Sequence, residues 1–153
     1  MIQKGELVPN FKLKNQDGND FEFKDHLGKG KIVLYFYPKD ETPGCIMEAC
    51  AFRDSYQVFT DAGVEVIGIS SDSVESHKQF AEKYNLPFIL LSDTGEKVRK
   101  MFGVSKTLGL IPGRVTFVID ENGVVLYIFN SQFRFNEHIK KTLKIIRENK
   151  NER

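Results

Sequence analysis

The chain has 153 residues, 41% hydrophobic and 28% charged, with Lys and Arg (22) close to balancing Asp and Glu (21). That length suits one domain, residues 1–153, with an ordinary buried core. The balanced charge argues against nucleic acid as a partner, and apolar runs such as Ile32 to Tyr37 and Val115 to Ile119 are far too short to span a bilayer.

Phe11 to Leu13 and Phe21 to Phe23 alternate apolar and polar residues around Asp17-Gly18, which predicts a hairpin. Lys31 to Tyr37 is a continuous strand-forming run, as a buried strand requires. Thr42 as N-cap and Pro43 at the first helical position predict a helix through Ala49, Phe52, Tyr56 and Phe59, ending at Gly63. Val64 to Ser70 is a second buried strand. Val74 to Tyr84 is a helix opening after Asp72 or Ser73, Phe88 to Leu91 a short strand, and Glu96 to Phe102 a short helix stopped by Gly103. Arg114 to Asp120 and Val124 to Asn130 are strands joined by Glu121-Asn122-Gly123. Phe135 to Arg147 closes the chain as a helix with Ile139, Leu143 and Ile146 on one face. The crossover units need parallel strands and the Asn122-Gly123 turn needs an antiparallel pair. The expected fold class is therefore α/β, a mixed central β-sheet flanked by helices on both faces, compatible with a thioredoxin-like fold carrying an N-terminal β-hairpin extension.

Met1 to Phe11 lacks the charged-then-apolar pattern of a secretory signal, so a cytoplasmic protein is expected, with a removed organelle-targeting segment as the alternative. Two cysteines are too few for a secreted disulfide scaffold. A close pair in a reducing compartment points to redox or metal chemistry.

Cys45 falls in the first turn of the predicted helix, where free backbone N–H groups and the helix dipole favour an anion and should lower its pKa. The alternative is an inert cysteine that only packs. Ionising an ordinary thiol completely raises its rate roughly 30-fold at most, because a few per cent is already thiolate at neutral pH. Large acceleration needs donors and a cation beside the sulfur. Thr42 supplies a hydroxyl, and within the loop only Lys39 supplies a cation. On a straight helix Cys45 and Cys50 would have Cα atoms ~8.6 Å apart, beyond the reach of a disulfide. If Cys45 is oxidised, the helix must unwind locally before Cys50 reaches it; the alternative for Cys50 is packing beside Ala49. His26, His77 and His138 have no ligand spacing to the pair, so no metal is expected. Glu48, one turn beyond Cys45, opposes a thiolate unless Arg53 or Arg114 pairs with it. Val115 stands where thioredoxins place a proline, which counts against thioredoxin activity. Phe36, Phe52, Phe59, Phe80, Phe117 and Tyr127 are expected in the core, and Lys140, Lys141, Lys144 and Arg147 on a solvated helix face.

Pro38, Thr42 and Cys45, spaced by four and three residues, resemble the active-site motif of the peroxiredoxins. The run Tyr37-Pro38-Lys39-Asp40-Glu41-Thr42-Pro43-Gly44-Cys45, with Cys50 and then Phe52-Arg53-Asp54, resembles the peroxiredoxin Q or bacterioferritin comigratory protein subfamily. Supporting stretches are Pro9-Asn10-Phe11, Gly68-Ile69-Ser70, Leu86-Pro87-Phe88 and the run from Pro112-Gly113-Arg114 to Asp120. Ser131-Gln132-Phe133 with His138-Ile139 is similar to the plant and cyanobacterial branch. The resemblance implies that Cys45 attacks hydrogen peroxide or an organic hydroperoxide, that Cys50 resolves the sulfenic acid as an intramolecular Cys45–Cys50 disulfide, and that thioredoxin or a glutaredoxin restores the thiols. It implies that Arg114 sits over Cys45, that Thr42 and Pro38 shape the peroxide pocket, and that Glu48 lies behind them. No metal or organic cofactor is implied, and a monomer suffices because both cysteines share one chain. Two rivals remain at this point: a dithiol–disulfide oxidoreductase, which normally uses Cys-x-x-Cys, and a redox-sensing binding module without turnover.

Overall fold

Two fully buried, largely apolar runs form the centre of the molecule, whose computed structural model describes residues 1–104, 106–107, 111–131 and 134–150. Strands β3 (Ile32–Phe36) and β8 (Val115–Ile119) are buried at every position and pair antiparallel, with Leu34 opposite Phe117. β3 also pairs in parallel with β4 (Glu65–Ser70), and β4 with β5 (Ile89–Ser92). The predicted N-terminal hairpin is β1 (Lys12–Asn15) with β2 (Asp20–Glu22), and β1 adds antiparallel to β5. β9 (Val125–Asn130) closes the far edge against β8. The outcome is the expected mixed sheet, with seven strands in the order β2-β1-β5-β4-β3-β8-β9.

Alternate residues of β3 point to opposite faces. Ile32, Leu34 and Phe36 pack with Phe11, Phe117 and the Val98 and Phe102 side chains of α4 (Lys97–Phe102). Val33 and Tyr35 pack with side chains of α1 (Pro43–Asp54), α2 (Tyr56–Asp61), α3 (Val74–Tyr84) and α5 (Phe135–Lys150), among them Phe52, Phe59, Phe80 and Ile139. Each fully buried Phe stabilises by roughly 1.5–3 kcal/mol. Gly68 stands opposite Tyr35, and a Cβ there would lie 2.9 Å from the Tyr35 ring, so the aromatic fills the space that a side chain would need.

Several local features differ from expectation. The helix predicted to run to Gly63 breaks at Ser55, whose φ of −98° and ψ of 4° separate α1 from α2. Phe23 leaves the hairpin for a 3-10 turn, Phe23–His26. A small antiparallel ribbon, β6 (Lys106–Thr107) with β7 (Ile111–Pro112), follows α4 and was not predicted. Tyr127 is half-buried rather than core. Gln132 and Phe133, part of the C-terminal resemblance, lie outside the described residues, as does the Pro112 side chain.

Candidate active site

The carboxyl ends of parallel strands are where open α/β sheets place their sites. β3 ends at Phe36, and Tyr37 still donates its N–H to the Ile69 carbonyl at 3.0 Å. The chain then turns away through residues 38–42 and enters α1 at Pro43, where a missing N–H matters least. Thr42 occupies the predicted N-cap position, and its carbonyl accepts from Ile46 N–H at 2.9 Å. Its side chain does not cap the helix: Thr42 Oγ1 donates instead to the Lys39 carbonyl at 2.8 Å. That corrects the expectation of a side-chain cap and leaves the hydroxyl oxygen as an acceptor.

Cys45, the third residue of α1, is buried against the sheet beside Ala49 and Phe52. Arg114 immediately precedes β8, one step past the Phe36–Val115 pair, and is buried as well. Its Nη2 donates to Cys45 Sγ at 3.4 Å and its Nη1 to Glu48 Oε1 at 2.6 Å. One planar fork therefore serves the sulfur and the carboxylate together. Burial works against the Arg114 charge, but Glu48 and Cys45 more than offset it and hold its pKa above the ordinary arginine value. Glu48 pairs with Arg114, not with Arg53, whose Nη1 donates to the Tyr84 carbonyl at 2.7 Å. Pro38 is half-buried and Lys39, the one cation of the loop, is exposed. Both cysteines are free thiols, and α1 runs unbroken through Cys45 and the half-buried Cys50. An unbroken α1 is the arrangement in which helix geometry keeps the two Cα atoms too far apart for a disulfide.

Behind Arg114 the polar atoms are incompletely matched. Glu48 Oε2 and Tyr35 Oη have no hydrogen-bond partner among the described residues, although both are buried. Burial pushes the Glu48 carboxyl up to about 7, against the downward pull of Arg114. Burial also raises the Tyr35 phenol well above its ordinary value, with Glu48 and Cys45 adding to the effect. His138, on α5, places Nδ1 3.8 Å from Glu48 Oε2. This is not an ion pair. Burial brings His138 down to about 4; the Ser131 carbonyl bonded to it opposes the drop and Arg114 deepens it. The neutral ring fits its bonds: Nε2 donates to the Ser131 carbonyl at 2.7 Å, and Nδ1 accepts from Thr116 Oγ1 at 2.8 Å.

A second buried cluster grips the same loop from the other side. Asp40 Oδ1 accepts from Tyr37 Oη at 2.6 Å, and Asp40 Oδ2 faces Ser76 Oγ at 2.9 Å and His77 Nδ1 at 2.7 Å. His77 Nε2 donates to the Leu91 carbonyl at 2.9 Å, so both ring nitrogens are engaged. The Asp40 N–H is taken by Asp72 Oδ2 at 2.8 Å, and that carboxylate also accepts from Ser70 Oγ at 2.5 Å. Asp40, Asp72 and His77 offer ligand atoms within 4.8 Å of one another, as a metal site would. Those atoms are already engaged with each other and with Tyr37, Ser70 and Ser76, so the cluster braces the loop. Sequence reasoning missed Asp40 and His77 as partners, although Asp40 lies inside the motif itself.

Comparisons with known proteins identify the relatives of the chain. The family model described as AhpC/TSA matches residues 4–128. A chloroplastic peroxiredoxin Q of Triticum aestivum is 58% identical over 146 residues, covering 95% of this chain and 67% of the wheat protein. The crystal structure of the peroxidoxin BcpB from Mycobacterium tuberculosis superposes with a TM-score of 0.90 at 37% identity, covering 97% of this chain and 98% of that one. The bacterioferritin comigratory protein of Xanthomonas campestris, which has alkyl peroxide reduction activity, superposes with a TM-score of 0.83 at 30% identity over 91% of both chains. This chain belongs to the AhpC/TSA family, in its peroxiredoxin Q branch, and is a thiol-dependent peroxidase.

Proposed function

We propose that Cys45 is the attacking thiolate and Cys50 the resolving thiol of a single-domain, monomeric peroxidase. The Cys45 sulfur attacks one peroxide oxygen, the O–O bond breaks, and the departing oxygen takes a proton to leave as water or an alcohol. Cys45 becomes a sulfenic acid. Once the first turns of α1 open, the Cys50 thiol attacks it, forming the Cys45–Cys50 disulfide and releasing water. A dithiol protein, thioredoxin or a glutaredoxin, then reduces the disulfide and is itself oxidised. Arg114 stabilises the negative charge as it moves from sulfur to the leaving oxygen. Thr42 Oγ1 accepts a hydrogen bond from the incoming peroxide, and Pro38 shields the sulfur from water. Glu48 holds the Arg114 fork in plane.

The observation that carries this reading is the Arg114 fork on Cys45 Sγ and Glu48 Oε1 at the first turn of α1. The alkyl peroxide reduction of the Xanthomonas protein extends the substrate class to organic hydroperoxides as well as hydrogen peroxide. No helix among the described residues is long and apolar enough to cross a membrane. Two free thiols suit a reducing compartment, and we place the protein in the cytoplasm, whereas its plant relatives are chloroplastic. The test is a coupled assay following reductant consumption with peroxide. Wild type turns over repeatedly, Cys45→Ser does not react, and Cys50→Ser completes the first oxidation but is not recycled by thioredoxin. Full activity in Cys45→Ser would overturn the reading.

A further inference from the structure

Arg99, on α4, is buried at 3% exposure, yet among the described residues no carboxylate pairs with its guanidinium. Its side chain instead makes two hydrogen bonds to backbone. Nη1 donates to the Gly113 carbonyl at 2.7 Å and Nη2 to the Tyr37 carbonyl at 3.0 Å. The guanidinium carbon lies 5.5 Å from the centre of the Phe36 ring, which shelters the charge. The residue itself is fixed by Asp93, whose carboxylate accepts the N–H groups of Val98 and Arg99 at 3.1 and 2.9 Å. Burial lowers the Arg99 pKa, and Glu96, Asp93 and Cys45 pull it back up.

The two carbonyls it joins have a particular place in the chain. The β3–β8 register ends at Phe36 opposite Val115. Beyond that point one strand becomes the loop leading to Cys45, and the other is entered from Arg114. Tyr37 and Gly113 are the residues from which those two segments depart. We propose that Arg99 is a positioning residue for peroxide reduction: its planar fork holds the Tyr37 and Gly113 carbonyls together and so sets the spacing between Cys45 and the Arg114 guanidinium. The inference rests on the peroxidase reading above and deepens it, because attack along the O–O axis needs the cation in one place relative to the sulfur. Simple alkylation of the same thiolate has no such demand.

The experiment compares two rates in one protein, on a Cys50→Ser background so that only Cys45 reacts. One is oxidation of Cys45 by hydrogen peroxide and the other its alkylation by iodoacetamide. Arg99→Met should slow peroxide oxidation roughly 10- to 100-fold while alkylation changes by less than about threefold. Arg99→Lys retains the buried charge but spans only one of the two carbonyls, and should fall between wild type and Arg99→Met. Should Arg99→Met fail to fold, Arg99→Lys decides by the same two rates. Peroxide oxidation at the parent rate in the folded variants would overturn the proposal, and so would equal loss of both rates, which marks general damage. A parent protein that alkylates but does not react with peroxide would instead sink the peroxidase reading beneath it.

Discussion

Two buried polar clusters flank the loop from Tyr37 to Thr42, and they are built in opposite ways. Around Asp40 and His77, the carboxylate, the ring nitrogens and the neighbouring hydroxyls are all engaged, and the parts involved are the segment after β3, α3 and the end of β5. Around Cys45 and Arg114, Glu48 Oε2 and Tyr35 Oη go unbonded among the described residues, and two members, Cys45 and Glu48, ride on α1. A satisfied network holds its geometry, while a partly satisfied one resists local opening less. The difference matches the proposed cycle, in which the loop must stay in place and α1 must come apart.

The strongest way to break this contrast is to damage the braced side. Asp40→Ala leaves the His77 ring buried without its carboxylate and should destabilise by ~3–5 kcal/mol in urea unfolding. Adding His77→Leu should recover more than half of that loss; simple additivity would show that the two side chains do not act as a pair. Next, Arg114→Met should lower kcat/KM for peroxide by roughly 10²–10³, equivalent to ~3–4 kcal/mol, with smaller loss of folding stability.

The unsatisfied side has a pH signature. Glu48, raised to about 7 from an ordinary 4.5, binds its proton more tightly folded than unfolded. Its contribution is complete below about pH 4.5 and is lost as pH rises toward 7. His138, lowered to about 4 from 6.5, behaves in reverse, and its contribution is lost as pH falls from 6.5 to 4. Each effect is roughly 3 kcal/mol, so the two largely cancel in wild type. Glu48→Gln should then make stability rise with pH across that window, and His138→Gln should make it fall. Slopes of the same sign in both variants would contradict the assignment. The smallest effect concerns Glu41, which sits between the brace and Thr42 with φ of +63°. Glu41→Gly should raise stability by up to ~1 kcal/mol by removing the left-handed penalty; a loss would show that its 3.3 Å contacts with Lys83 and Tyr84 outweigh the strain.

The sheet, the order of its elements and the cysteine helix were legible because they follow from local patterns. The strand-forming β3 and β8 runs, Pro43 at a helix start, Ser73 accepting from Ser76 N–H, and Gly123 in its turn each declare themselves within a few residues. Arg114 was legible only through resemblance to a family, since an arginine before a strand says nothing about which sulfur it will meet. Arg99, His77 and His138 were not legible as partners. Their bonds to Gly113, Asp40 and Thr116 depend on strand register and crossover, which no local spacing encodes. The Thr42 position was read correctly as the N-cap, but its hydroxyl bonds the Lys39 carbonyl, a contact within the loop that the cap position does not encode.

The contrast between the clusters is tested most directly by amide hydrogen exchange on the dithiol and disulfide forms. Formation of the Cys45–Cys50 disulfide should strip protection from residues 46 to 50 of α1, while α3 around His77 exchanges as slowly as before. A fully formed disulfide with α1 as protected as in the dithiol protein would contradict it.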